Sequence, residues 1–118
     1  MQQILLVINS APYGNENCFN ALRLALMLLE EYQHEVELKL FLMSDAVVAG
    51  LQGQAPNEGY NLQQALEIIT GYGAEVKLCK TCTNARGITA LPLVDGVEIG
   101  TLAELADWTL KADKVLSF

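Results

Sequence analysis

A chain of 118 residues with 52% hydrophobic and 18% charged content has enough apolar surface for one folded domain spanning residues 1–118, is too short for two cores, and is too apolar to be disordered. A net charge of -7 with an isoelectric point near 4.5 excludes a protein whose business is gripping phosphate backbones, which needs clustered Lys and Arg; direct nucleic-acid binding is not expected. The apolar excess in so small a domain predicts that a second copy covers part of its surface, giving a homo-oligomer.

The first element is the uninterrupted apolar run Ile4–Ile8, the pattern of a strand buried on both faces of a parallel sheet. It ends in a loop, Asn9 to Asn15, of the kind that carries ligand contacts in open α/β folds, and Tyr13 and Asn15 are candidates to line a site or simply to form the turn. No Gly-X-Gly-X-X-Gly or Walker sequence is present, which excludes the dinucleotide and nucleoside-triphosphate motifs. From Glu16 to Gln33, apolar residues at Phe19, Leu22, Leu26 and Leu29, widened by Ala21, Leu24, Ala25 and Leu28, give a helix that is apolar almost all round. Its Cys18 reads as a small packing residue, Arg23 as a solvated or paired charge, and His34 beyond its end as a surface or capping residue.

Alternation through Val36, Leu38, Leu40 and Leu42 gives a second strand, exposed at its start and buried at its end. Ser44 or Asp45 is placed to cap a short helix from Ala46 to Leu51 and to reach a pocket at the strand ends. The segment from Gln52 to Tyr60, with two glycines and a proline, is long enough to be a lid or an oligomer contact. Asn61 caps a helix from Leu62 that glycines stop at Gly71 or Gly73. After the cysteine strand, the apolar stretch Ile88–Leu93 is interrupted at Pro92, an Asp95-Gly96 turn follows, and Thr101 with Glu104 forms a capping box for a helix from Leu102 to Leu110. Val115–Phe118 is a last strand. Helices alternating with buried strands specify an α/β fold with a mainly parallel sheet. No apolar run approaches the roughly 18 residues of a membrane span and no basic, cleavable leader is recognisable, so the expected location is the cytoplasm, away from membranes, where thiols stay reduced.

The stretch from Val76 to Gly87 concentrates the chemistry. Val76–Leu78 delivers Cys79 to the carboxyl end of a strand, and a polar turn with Cys82, Arg86 and Gly87 follows. A cysteine is a nucleophile only as the thiolate, and a nearby cation, a Cys-X-X-Cys partner or a helix N-terminus lowers its pKa. Lys80 is adjacent, Lys77 lies on the approach, Arg86 follows, and Thr83 or Asn84 is placed to cap a short helix whose amides would face the sulfur. With Lys39, these bases are expected to make a local positive pocket in an acidic protein. Zinc is not expected, since a structural site needs four ligands and only Cys18 and His34 remain, neither with partner spacing; no metal or cofactor is implied. Three cysteines are an odd count for a disulfide framework. Inert buried thiols are the alternative, against which stand the Lys, Thr, Asn and Arg around Cys79 and Cys82.

The Pro12-Tyr13-Gly14 loop, the Phe41–Val47 segment, Leu78-Cys79 followed by Arg86-Gly87, the Gly96-Val97-Glu98 and Leu105-Ala106 pieces, and Ala112-Asp113-Lys114-Val115 to Phe118 together resemble the DsrE/DsrF-like sulfur-relay family, YchN type, over the whole length. The resemblance implies a three-layer α/β/α sandwich around a mostly parallel five-stranded sheet, assembled as a homotrimer or homohexamer. It further implies a sulfur carrier that exchanges sulfane sulfur with donor or acceptor proteins as a persulfide on Cys79. In that reading Lys80, Arg86 and the helix N-terminus stabilise the persulfide anion, and Tyr13 and Asp45 shape the pocket. Cys82 departs from the relay members and adds a thiol able to attack a persulfide and release sulfide. Two other readings remain open: a dithiol redox protein cycling Cys79 and Cys82, and a non-enzymatic oligomer binding a small anion or a partner segment.

Overall fold

The computed structural model describes residues 1–56 and 60–118. Its elements are β1 (Gln2–Ile8), α1 (Asn17–Tyr32), β2 (Val36–Leu42), a 3-10 helix (Ser44–Gly50), α2 (Leu62–Gly71), β3 (Glu75–Cys79), α3 (Lys80–Ala85), β4 (Val97–Gly100), α4 (Leu102–Lys111) and β5 (Lys114–Ser117). The strands form one sheet in the order β4-β3-β2-β1-β5, and each neighbouring pair is parallel. The sheet is therefore wholly parallel, and every strand delivers its carboxyl end to the same edge.

From β1 to β4 the strands advance in one direction, and a right-handed crossover then keeps each connecting segment on one face. The step from β4 to β5 runs back across the sheet, so the same handedness puts α4 on the other. The registers Leu6↔Leu40, Leu40↔Val76 and Val76↔Val97 set an apolar row on the face covered by α1 and α2. Ala21, Leu22, Ala25 and Leu29 of α1 and Leu62, Leu66 and Ile69 of α2 are buried against it. On the opposite face, Trp108 of α4 is buried and meets the Phe41 ring edge-on, with centroids 6.0 Å apart. The Lys39 and Lys77 ammonium groups lie 5.2 Å and 5.3 Å from the Trp108 centroid, and Lys77 also pairs with Glu104. Burying large side chains of this kind stabilises a core by about 1.5–3 kcal/mol each.

Local signals hold at several ends. Asn61 Oδ1 accepts the Gln64 N–H at 3.0 Å, starting α2, and Gly73, at φ +92, lies just past its end. Thr101 and Glu104 form the reciprocal capping box of α4. Cys18 is fully buried and His34 is exposed. One expectation changes, and one strand is placed that the sequence pattern does not assign. The 3-10 helix begins at Ser44 after Met43, and neither Ser44 nor Asp45 caps it with a side chain. The fourth strand is Val97–Gly100, beyond the Asp95-Gly96 turn, while the apolar stretch before it is loop, tied back by the bridge between Leu51 and Leu93.

Of the segment expected to act as a lid or contact, residues 57–59 lie outside the described residues. Among the described residues, no helix is long and apolar enough to cross a membrane.

Candidate functional site

Cys79 is the last residue of β3, paired in register with Gly100 of β4, and is 4% exposed. The chain turns directly into α3, so Cys79 itself occupies the N-cap position without a side-chain capping bond. This corrects the expectation that Thr83 or Asn84 caps the helix: the cap lies at Cys79 and the helix begins at Lys80, Cys82 lies within its first turn, and Thr83 is buried inside it. The Thr83 hydroxyl donates to the Lys80 carbonyl at 3.0 Å and accepts from Thr89 at 2.8 Å. Both Cys79 and Cys82 are free thiols, Cys79 buried and Cys82 half-buried.

The 3-10 helix after β2 supplies the opposite wall. The Met43 N–H donates to the Ile8 carbonyl at 2.8 Å, holding the chain against the end of β1. Ser44 then takes φ +53, a left-handed conformation that costs a non-glycine residue about 1–2 kcal/mol. In that conformation its N–H donates to Cys82 Sγ at 3.2 Å. Asp45 faces Arg86: its Oδ1 accepts from Arg86 Nε at 3.0 Å and Nη2 at 2.9 Å. Arg86 Nη1 donates to the Cys82 carbonyl at 3.1 Å, so one guanidinium joins the 3-10 helix to the end of α3. Gly87, at φ +68, ends α3 by donating to the Asn84 carbonyl at 3.1 Å.

These contacts set the state of Cys82. Burial pushes its thiol above the ordinary range; the Ser44 N–H pulls it down, the neighbouring Cys79 thiol pushes it up, and the Arg86 charge pulls it down. The net direction is upward, set first by burial, with the Ser44 amide as the donor that meets the sulfur.

The structure brings together Cys79, Cys82, Ser44, Asp45, Arg86 and Gly87, with Lys80 exposed at the start of α3. It does not gather the four expected bases: Lys39 and Lys77 are engaged by Trp108, and Lys77 also by Glu104. Tyr13 and Asn15 belong to a different cluster. The Tyr13 hydroxyl donates to Gln54 Oε1 at 2.7 Å, and Gln54 Nε2 donates to the Val48 and Leu51 carbonyls at 2.8 Å and 2.9 Å. The Tyr60 hydroxyl donates to the Asn15 carbonyl at 3.2 Å, and its ring stacks on Phe19 with centroids 4.3 Å apart. Burial, then the charges of Tyr60 and Cys18, raise the Tyr13 hydroxyl above its usual range. This cluster fastens the β1–α1 loop to the far end of the 3-10 helix, away from the thiols. Sequence reasoning missed Thr83 and Thr89 as internal braces of the turn; their contact spans six positions across Arg86-Gly87, and no local pattern announces it. Among the described residues, no group of three or more His, Cys, Asp or Glu side chains gathers to hold a metal.

Comparison with known families matches residues 2–118 to the DsrE/DsrF-like family. The chain is 65% identical to Protein YchN of Escherichia coli (strain K12) over 118 residues, covering 100% of both chains. The crystal structure of the ychN protein from E. coli superposes with a TM-score of 0.96, again covering 100% of each chain. A protein of unknown function from Methanobacterium thermoautotrophicum, MTH1491, shares the fold at a TM-score of 0.79 with 12% identity and complete coverage of both chains.

Proposed function

We propose, from the premise that the chain belongs to the DsrE/DsrF-like family, that its cysteine turn carries sulfane sulfur as a persulfide on Cys79. The observation that carries this reading is the placement of two free thiols, Cys79 and Cys82, in one turn at the carboxyl edge of the sheet, one of them bound by a backbone amide presented from a strained residue. In the loading reaction a thiolate attacks the terminal sulfur of a donor persulfide. The new S–S bond forms on this chain and the donor leaves as its thiolate, with no net oxidation. Arg86, oriented by Asp45, and the Ser44 amide stabilise negative charge at the turn. Sulfur donors and acceptors are other proteins, and the working compartment is the cytoplasm, where both thiols stay reduced.

A trimer or hexamer fits the surface: Leu110 is 87% exposed and Leu102 64%, and Val115 and Leu116 stand on the open edge of β5. Covering them removes apolar area from water at about 25 cal/mol per Å2.

Incubation of the reduced protein with a persulfide-loaded cysteine desulfurase, followed by intact-mass measurement and tryptic mapping, tests the reading. Cleavage after Lys77, Lys80 and Arg86 puts Cys79 and Cys82 on separate peptides. The expected result is one added sulfur atom, recovered on the Cys79 peptide. The closeness of two free thiols in one turn also favours a second reading, dithiol redox cycling, which requires a loss of two hydrogens dependent on both cysteines and no added sulfur. An unchanged mass rejects both.

A further inference from the structure

The two thiols differ in access in a way that the sulfur-carrier reading does not explain. Cys79, the proposed carrier, is 4% exposed at the end of a central strand, between β2 and β4. An incoming persulfide must align its S–S bond with the attacking sulfur, which needs an open approach. Cys82, one helical turn away, is half-buried and lies where Ser44 N–H reaches its sulfur. The same turn is braced from both sides, by the Arg86–Asp45 pair and by the Thr83 hydroxyl on the Lys80 carbonyl.

Resting on the sulfur-carrier reading, we infer that Cys82 is the receiving thiol for protein-borne persulfide and that it hands the sulfur inward to Cys79. In the first step the Cys82 thiolate attacks the terminal sulfur of the donor persulfide; a Cys82 persulfide forms and the donor departs as a thiolate. In the second step the Cys79 thiolate attacks the terminal, protonated sulfur of the Cys82 persulfide. The outer sulfur moves to Cys79 together with its proton, giving a Cys79 persulfide, and Cys82 leaves as a thiolate. One S–S bond forms and one breaks in each step, so neither an oxidant nor a reductant is consumed. The Ser44 amide donates to the Cys82 sulfur both times, once on the nucleophile and once on the leaving group, while Arg86 holds the Cys82 carbonyl and fixes the turn. The inward move removes the labile sulfur from solvent, where free thiols would discharge it.

The experiment is rapid mixing of the reduced protein with the persulfide-loaded desulfurase, alkylation quench at increasing times, and tryptic mapping. Added sulfur should appear first on the Thr81–Arg86 peptide and later on Leu78–Lys80. Cys82→Ser should slow loading of Cys79 by about tenfold or more, because access limits the exchange. Cys79→Ala should load at the normal rate and keep its sulfur on Cys82; the order of labelling in the unaltered protein decides the matter even if that variant folds poorly. If Cys82→Ser loads Cys79 at the unaltered rate, or if sulfur appears first on Cys79, the inference fails and the carrier reading survives. Release of hydrosulfide with a Cys79–Cys82 disulfide also overturns it, since the second thiol then discharges the sulfur. No loading of any form removes the carrier reading and the inference with it.

Discussion

Gly50 ends the 3-10 helix directly over Leu78, the residue before Cys79, and a Cβ built on it would come 2.6 Å from Leu78 Cδ1 and 2.8 Å from Cδ2. Such contacts are normally relieved by swinging the side chain away, but Leu78 is fully buried and has nowhere to go. Gly50→Ala should therefore destabilise the fold by about 1–3 kcal/mol, the usual cost of overpacking. An unfolding entropy near 2.1 cal/mol/K per residue over 118 residues converts this to a Tm lower by about 4–12 °C. Calorimetry at one fixed protein concentration reads it. Leu78→Val, which removes one methylene and alone costs about 1 kcal/mol, should relieve the clash, so the double variant should cost less than the sum by at least about 0.5 kcal/mol. Gly71→Ala is the control: nothing lies within 4 Å of its Cβ and its backbone is helical. There the substitution should stabilise by about 0.5–1 kcal/mol. Strict additivity of Gly50→Ala with Leu78→Val, or a raised Tm for Gly50→Ala, would refute the packing argument.

Alkali should destabilise the protein through Cys18, which is fully buried and whose thiol burial pushes up to about 11. Because the folded state then holds its proton longer than the unfolded chain, this contribution is complete below the ordinary thiol pKa and is lost as pH rises toward 11. The two-unit shift corresponds to roughly 2–3 kcal/mol, and urea titrations should show that loss flatten in Cys18→Ala. Thr101→Ala should cost about 1 kcal/mol by removing one half of the capping box. In acid, the Lys77 hydrogen bond, with help from the Thr101 N–H, holds the Glu104 carboxyl below its usual range. Its stabilisation should therefore be present above that range and vanish as pH falls through the lowered value, a loss that Glu104→Gln should abolish.

Features set by near neighbours in sequence were legible. The unbroken Ile4–Ile8 run, the Asn61 cap and the Thr101–Glu104 box each depend on residues within a few positions. The site was legible to the extent that Cys79 ends a strand and that Asp45, Cys82 and Arg86 sit at the same edge. What escaped was set by distant partners. Asp45 looked like a helix cap, but Arg86, 41 residues away, takes its carboxylate. Lys77 looked like part of a basic pocket, but Glu104 and Trp108 of α4 claim it. Ser44 was nominated for its side chain, yet its backbone N–H makes the contact, which no side-chain preference announces. β4 is only four residues long and sits behind a turn, too short for its alternation to stand out.

The join between β1 and β5 bears on how the chain folds. The Gln3 N–H bonds the Asp113 carboxylate, the Asp113 N–H bonds the Gln3 carbonyl, and the Asn9 N–H bonds the Phe118 carbonyl. These contacts span 110 residues for Gln3 and Asp113, against 34 for the pairing of Ile4 with Leu38 in β1 and β2. Closing the longer loop from an open chain costs only about 1 kcal/mol more, but it cannot begin until the distal strand has been synthesised. β1 therefore passes through synthesis with one hydrogen-bonding edge open, and a nascent chain halted before Lys114 exposes that edge to any neighbouring strand. The sheet is completed only when β5 joins β1, and chains lacking it carry an open edge prone to aggregation.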